Sequence, residues 1–507
     1  MTKGVIVLGC AIAAVSVQAK AWNEGAPKIN GPKVYGATPN RNFMYAFPTT
    51  GDRVGLWYEV SEGALPQGVA LDAVTGVLTG KVAAAGSHTF KVRATNRCGA
   101  DEKAFALIIG KDALALTPPM GWTSWSACTT DIDQDLIRAT AQALVDRGLA
   151  ACGYAYVNID SCWQGRRNAK DNAALQPNEL FPDMGALVRD IHALGLKAGI
   201  YTTPMVHAWG TRRQRLLLGS TDYPLDPEFP HPHFGGCGKK SFEKDDALQF
   251  ARWGFDWLKY DWSHTEVYHS RTMRTALDAT DRDIVLQVCT GCQVTNAAEY
   301  AKCVQLARGS GDTWDEWYHI RARVMRRIDA WLPSIRPGFW CDLDMLALGS
   351  MRIRRNEDRV RAVRPGEKVP QEMVNKLTPD EIVSHFAWWA IVPSPIFLSC
   401  DIFNLDDFTY RIVTNEDLLE INQDYPAQPA TYEDFDGTAR RLWTRKLSDG
   451  RTVLGFFNLH DKAEWNVTRD LGGTFAVRDC LAGKDLGALS ELKLSLRTHE
   501  CRVFLLK

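Results

Sequence analysis

The sequence predicts an α/β chain, a (β/α)8 TIM barrel carried between two β-rich domains. Three observations predict it. The chain has 507 residues, more than one hydrophobic core organises, so several domains are expected. Between residues 115 and 425, short apolar strands alternate with amphipathic helices over roughly 300 residues, the pattern of repeated βα units. On either side of that block the helical periodicity stops, and short alternating strands with Gly and Pro punctuation take over.

Within the barrel block, Tyr156–Ile159 reads as a strand, followed by a helix over Met184–Leu194 and a strand over Lys197–Tyr201. A helix over Asp246–Trp253 follows, then strands at Trp257–Tyr260 and Ile284–Val288. Eight such units close a barrel. No Gly-rich phosphate loop follows the first strand, which disfavours a nucleotide-binding sheet.

Residues 24–111 read as a small β domain, with strands such as Leu56–Val60 and His88–Ala94. Residues 426–507 read as a C-terminal β-sandwich domain of antiparallel strands, with Arg441–Lys446, Thr452–Asn458 and Cys501–Leu506 strand-like. Cys480 and Cys501 are candidates to staple it.

The first 19 residues look like an export signal. Lys3 supplies a positive start, Val5 to Val17 form a short apolar run, and Val17-Gln18-Ala19 approximates a small-x-small cleavage site. The expected location is therefore secreted or periplasmic. Cys10 sits too early in the run for a lipoprotein site. No later stretch reaches the ~20 apolar residues of a membrane span.

The formal net charge of −1 makes no case for nucleic acid or an anionic membrane as partner. Seventeen Trp suit stacking on the C–H faces of sugars, although Trp also fills cores. Thirteen Cys, twelve after signal removal, make disulfides possible in an exported chain, with pairing left open. Cys289-Thr290-Gly291-Cys292 is a lone CxxC without a second ligand pair, so a disulfide or two thiols is expected rather than zinc. No cofactor or metal is expected.

Barrels place their chemistry at the carboxyl ends of strands. Several predicted strands here end in acids: Asp160 after YVNI, Asp261 after LKY, Asp312 after LARGSG, and Asp342 and Asp344 in GFWCDLDML. One such Asp would most often be a cap, but four strand ends strain that reading for the whole set. Two facing carboxyl groups are what glycosidic bond hydrolysis requires. One protonates the leaving oxygen, and the other attacks the anomeric carbon or activates water.

Leu65 to Asn96, with LPQGVALD, TGVLTG and AGSHTFKVRATN, resembles the bacterial immunoglobulin-like domain that precedes many secreted enzymes. Such domains are spacers or docking modules, and the likeness implies no catalytic role. The barrel block resembles glycoside hydrolase family 27, whose members are mainly α-galactosidases. The resemblance rests on TPPMGWTSW (117–125), YVNIDSCW (156–163), KAGIY ending at Tyr201, LKYDW (258–262), ARGSGD (307–312), GFWCDLDML (338–346), LTPDEIVSHFAWWAI from Leu377 and INQDYP (421–426). Each motif alone is weak; eight in order are specific.

That resemblance implies roles. Asp261 would be the nucleophile of a retaining double displacement, and Asp312 the acid/base. Lys259, two residues before Asp261 and so on the same strand face, would hold a sugar hydroxyl and keep the nucleophile ionised. Arg308 would bond the sugar near its 2-hydroxyl. Trp125 would be an apolar wall, or alternatively core. Tyr201 would help seat the sugar, and Asp160 would accept from its hydroxyls. Asp342 and Asp344 read as caps or as orienters of other groups, His264 as a loop histidine, and Asp401 as a helix cap.

The sequence departs from the family pattern in three places. Ser161 stands where the family usually carries a second Asp, which replaces a charged acceptor by a hydroxyl and weakens one sugar bond by ~1–2 kcal/mol. Ser263 stands where a Cys often follows the nucleophile, so a bridge from there to Cys237 is absent while one between Cys128 and Cys162 stays open. The loop QVCTGCQV, Gln287 to Val294, departs from the animal and plant pattern. The expected reaction is release of terminal α-linked galactose from oligo- or polysaccharides. Alternatives keep the mechanism and change the sugar, to an isomaltodextranase-like glucoside, a β-L-arabinopyranoside or an α-N-acetylgalactosaminide. A non-catalytic carbohydrate-binding protein, or an adhesion protein led by residues 24–111, are the readings of other classes. Residues 205–244, with Trp209, Arg212, Arg213 and Arg215, should overlie the active-site face. Residues 350–368 carry Arg352, Arg354, Arg355, Arg359, Arg361, Arg364 and Lys368 against Glu357, Asp358 and Glu367; a solvated loop is expected, with an acidic or sulfated glycan as the sharper possibility.

Overall fold

The computed structural model describes residues 7–8, 21–167, 173–209, 215–217, 225–230, 236–261, 267–289, 292–351, 363–369, 371–437 and 439–507. The leader expected at 1–19 lies outside these residues apart from Val7–Leu8, which pair in parallel with Lys493 and Leu494. No helix among the described residues is long and apolar enough to cross a membrane.

Eight parallel strands form the central sheet: β1 (Met120–Thr123), β2 (Tyr156–Ile159), β3 (Lys197–Thr202), β4 (Trp257–Tyr260), β5 (Val285–Val288), β6 (Leu306–Arg308), β7 (Trp340–Asp342) and β8 (Ile396–Leu398). The order is β7-β6-β5-β4-β3-β2-β1-β8. A parallel bridge between Leu346 and Leu398, with Leu346 N donating to Phe397 O, joins the two ends and closes the barrel. The strands are short and buried except at Lys259 and Gln287, as expected where helices cover the outer face.

The covering helices start where their caps say they should. In α1 (Gln134–Asp146) the Asp133 side chain accepts from Leu136 N, and in α2 (Met184–Ala193) Asp183 accepts from Ala186 N. Two further helices are α3 (Glu243–Trp253), closed by left-handed Gly254, and α4 (Tyr268–Asp278). In α5 (Pro379–Ile391), Thr378 and Glu381 form a reciprocal capping box with Pro at the first helical position. Between β6 and β7 the covering segment is irregular, passing through π-type and 3₁₀ turns over Ile320–Ser334.

The N-terminal domain packs a four-stranded sheet (Val34–Ala37, Gly99–Ile109, Gly86–Asn96, Trp57–Gly63) against a three-stranded one (Phe43–Ala46, Val77–Gly80, Val69–Leu71). Its core is aromatic, with Phe43, Tyr45, Phe47, Phe90 and Phe105 in one cluster. It is not a free spacer. It covers the end of the barrel where the strands begin: Lys197 Nζ donates to Tyr35 Oη at 2.6 Å, Thr38 N to Asp283 at 2.8 Å, and Arg41 to Asp278 O at 2.6 Å. Burial pushes the Lys197 ammonium down to about 8, against the pull of Asp256.

The C-terminal strands Thr431–Phe435, Arg440–Lys446, Thr452–Asn458, Trp465–Asp479, Lys484–Leu496 and Cys501–Leu506 form one sheet, with Val7–Leu8 at its edge. Alternation divides its side chains. Trp443, Val453, Phe457 and Val503 join the barrel core, whereas Leu442, Leu454, Phe456 and Phe504 form a separate cluster under the long hairpin. The expected Cys480–Cys501 staple is absent; among the described residues there is no disulfide, and both thiols are buried. A cleft of about 900 Å³ runs between the three domains and is lined by none of the strand-end acids.

Candidate active site

The strand ends bring the expected residues together on one face, through barrel register. Tyr201 on β3 pairs with Lys259 on β4, which pairs with Gln287 on β5, so these three lie at one level. Arg308 on β6, two residues beyond the partner of Gln287, is in register with Asp342 on β7. Asp160 and Asp261 each follow their strand by one residue. Gly199 in β3 is required by a close approach, since a Cβ there would stand 1.8 Å from the Asn158 side-chain oxygen.

Lys259 is the hub of the first half. Its Nζ lies 2.7 Å from Asp160 Oδ2 and 3.9 Å from Asp261 Oδ2, and it sits over the Tyr201 ring at 5.6 Å. Burial alone would lower this ammonium, but the Asp160 and Asp261 carboxylates outweigh it and hold the lysine charged. Asp160 is buried and also accepts from Ser161 N, and its own N–H donates to Ser124 Oγ, beside Trp125. Trp125 is half-buried against the core, in the short helix Ser124–Cys128 that follows β1. Ser161 is buried and receives a long bond from Gln164 Nε2 at 3.4 Å. The Tyr201 hydroxyl is buried and has no hydrogen-bond partner among the described residues, and burial pushes its pKa well up. An orphaned buried hydroxyl beside two acids is a group available to a polar ligand.

The second half centres on Arg308. Its Nη2 pairs with Asp312, and its Nη1 lies 3.2 Å from Asp344 Oδ1 and donates to Cys289 Sγ at 2.8 Å. Asp312 is exposed at the mouth, with its side chain 61% accessible. The guanidinium holds its carboxyl below the ordinary value, so Asp312 rests ionised. Asp344 is the opposite case: buried, it is pushed up to about 6, against Arg308. That raised value does not make Asp344 the proton donor, because its carboxyl is buried and committed to Thr313. Asp261 and Asp312 follow β4 and β6, which have only β5 between them. The two halves feel each other: the Lys259 charge also lowers Asp312 and Asp344.

Several contacts here were not expected from sequence. Gln287 donates to Asp342, Cys289 receives Arg308, and Thr313 binds Asp344. Strand parity could have marked Gln287, which stands level with Lys259; nothing local marks Thr313. Asp342 accepts from the Asp344 N–H at 2.8 Å, which makes it an orienter as expected. Asp401 closes a turn, accepting from Phe403 N and Asn404 N, rather than capping a helix; the next helix is capped by Asp406. No bridge joins Cys128 to Cys162, and Cys237 lies by Met205 instead. His264, Arg212, Arg213, Arg352, Arg354, Arg355, Arg359 and Arg361 lie outside the described residues, and the side chains of Trp209 and Arg215 do too. Of the second basic cluster, Arg364 pairs with Asp131 and Asp133.

Comparison with known proteins shows the family. Residues 117–211 and 232–364 match the model of the "Alpha galactosidase A" family, residues 437–506 match its C-terminal β-sandwich domain, and residues 26–110 match an Ig-domain family. Alpha-galactosidase 2 of Arabidopsis thaliana is 30% identical over 364 residues, covering 70% of this chain and 79% of that protein. A solved structure from Bacteroides fragilis, assigned as an alpha-galactosidase/melibiase, superposes with a TM-score of 0.81 at 30% identity, over 96% of this chain and 99% of that one. A family 27 β-L-arabinopyranosidase from Geobacillus stearothermophilus shares the fold at 23% identity, with a TM-score of 0.66 over 78% of this chain and 97% of that one. The barrel, the acids at its strand ends and these matches together place the chain in glycoside hydrolase family 27, the α-galactosidase family.

Proposed function

We propose that the protein hydrolyses a terminal α-linked galactose by double displacement, with Asp261 as nucleophile and Asp312 as acid/base. The observation that carries this reading is the Lys259 ammonium held between Asp160 and Asp261, with Asp312 two strands away on Arg308. Lys259 sets a positive charge 3.9 Å from the attacking Asp261 carboxyl and, with Asp160 and the unpartnered Tyr201 hydroxyl, offers bonds to sugar hydroxyls. Asp312 must carry a proton when the leaving oxygen departs. Arg308 disfavours that in the resting site, so sugar binding has to draw some of the guanidinium charge away. Departure of the aglycone then leaves a glycosyl ester on Asp261. Asp312, now ionised, deprotonates the incoming water.

The relatives named alpha-galactosidase support galactose as the sugar. Ser161, a neutral group beside Asp160, favours one further reading: a sugar that makes fewer demands at that corner, such as an arabinopyranoside. We also propose that the chain is exported, on the leader-like residues 1–19. The test is a panel of nitrophenyl glycosides with proton NMR of the first-formed anomer. Retained galactose as the product, with turnover abolished in Asp261→Asn, is expected. An inverted anomer, or full activity in that variant, overturns the mechanism.

A further inference from the structure

Asp344 holds both ends of the segment that carries Asp312. At one end its Oδ1 lies 3.2 Å from Arg308 Nη1, and at the other its Oδ2 accepts from Thr313 N at 2.7 Å and Thr313 Oγ1 at 3.1 Å. The Thr313 hydroxyl also reaches Met345 O at 2.5 Å. Asp344 is itself fixed: its N–H donates to Asp342 at 2.8 Å, its carbonyl accepts from Trp389 Nε1 at 3.1 Å, and it occupies the left-handed region at φ 76°. A non-glycine residue there is strained backbone kept by its surroundings. Within the segment, Gly309 has no room for a side chain, since a Cβ would meet Cys341 Sγ and Trp331 at 2.7 Å. The turn bearing Asp312 is thus tied at both ends by one carboxylate, in addition to the Gly309 N bond to Asp342 O and the Arg308–Asp312 pair.

The same carboxylate shares a guanidinium with Asp312. Arg308 gives Nη2 to Asp312 and Nη1 to Asp344. We infer that Asp344 is a positioning residue for the acid/base: it seats the 308–313 turn and, by taking part of the Arg308 charge, lets Asp312 hold a proton during catalysis. This rests on the assignment of Asp312 as the acid/base. The charged and titratable groups facing Asp344 are Arg308 on β6, Asp342 on β7, Lys259 on β4, the Cys289 thiol after β5, and Asp312 itself; Arg323 adds to the positive field at Asp312.

The sign follows from charge. In Asp344→Asn the side-chain oxygen still accepts from Thr313, but the negative charge is gone. Arg308 then acts on Asp312 alone, so Asp312 loses its proton at a lower pH. The basic limb of kcat/KM moves to lower pH for a galactosyl disaccharide, whose leaving group needs protonation. At neutral pH the variant loses roughly 10-fold or more on that substrate but little on a dinitrophenyl galactoside, whose leaving group does not. Thr313→Val, which removes the hydroxyl contacts to Asp344 and to Met345 O but no charge, should leave the pH profile in place and serves as the folding control. Unchanged pH limbs in Asp344→Asn, or an equal loss on both substrates, overturn the inference. An Asp312→Ala control separates the two assignments. If it shows the leaving-group dependence while Asp344→Asn does not, only the positioning role falls. If Asp312→Ala shows none, the acid/base assignment falls and takes this inference with it.

Discussion

Lys259 donates to Asp160 at 2.7 Å across 99 residues of chain, and only approaches Asp261, at 3.9 Å. The lysine is thus anchored by Asp160 and leans through space on Asp261, the proposed nucleophile. Lys259→Gln keeps the length and removes the charge, leaving two buried acids uncompensated. Breaking a buried pair in this way costs about 3 kcal/mol or more. A kcat/KM lower by roughly 100-fold, with a lower melting temperature, is expected. Steady-state kinetics and thermal melts check it; activity within about threefold of the parent would reduce Lys259 to scaffold.

Ser161 is a neutral side chain beside Asp160, at one corner of the proposed sugar site. Ser161→Asp restores a charged acceptor next to Asp160, where a charge-assisted bond gains about 1–2 kcal/mol over a neutral one. The ratio of kcat/KM for galactoside over arabinopyranoside should rise by roughly 10-fold. A paired substrate titration reads this directly, and an unchanged ratio would place Ser161 away from the discriminating hydroxyl.

The barrel floor carries a pH-dependent share of stability. Burial would raise the Asp256 carboxyl, but Arg282 and His192 overrule it and hold it down to about 2, from an ordinary 3.8. A depressed acid stabilises the fold above its unfolded value and loses that contribution as pH falls through its folded one. The window therefore runs from about 4 down to about 2. The shift corresponds to about 2 kcal/mol at neutral pH. Asp256→Asn should be destabilised by at least that at pH 7, with the gap from the parent closing near pH 2. Urea melts across that range test it.

The Ig-like domain should unfold with the barrel. Tyr35→Phe removes the hydroxyl that receives the Lys197 ammonium, a loss of about 2 kcal/mol for a bond to a charged group. The cost should shrink above pH 8, where Lys197 sheds its proton. One cooperative transition, lowered as a whole by Tyr35→Phe, is expected by calorimetry. Two transitions, with only the smaller one moved, would show a domain that merely hangs from the enzyme.

Much of this molecule was legible from local pattern. The strands Tyr156–Ile159, Trp257–Tyr260, Thr452–Asn458 and Cys501–Leu506 stand where their apolar runs put them, and acids at strand ends marked Asp160, Asp261 and Asp312. These signals survive translation into structure because a strand of four buried residues and the group that follows it are specified by neighbours in sequence. The docking of residues 34–41 onto the barrel floor was not legible, because Tyr35 and Lys197 meet only once two domains have folded.

Side-chain periodicity by itself determined the barrel and its flanking β domains, and strand-end acids with the family resemblance named the candidate site residues. Only the tertiary structure decided the partners: that Lys259 bonds Asp160 rather than Asp261, that Arg308 is divided between Asp312 and Asp344, and that Asp344 reaches Thr313. The reason is physical. Which residues face inward is a matter of period along one strand, whereas which charge neutralises which depends on the register and spacing between strands, and those are set by closure of the whole barrel.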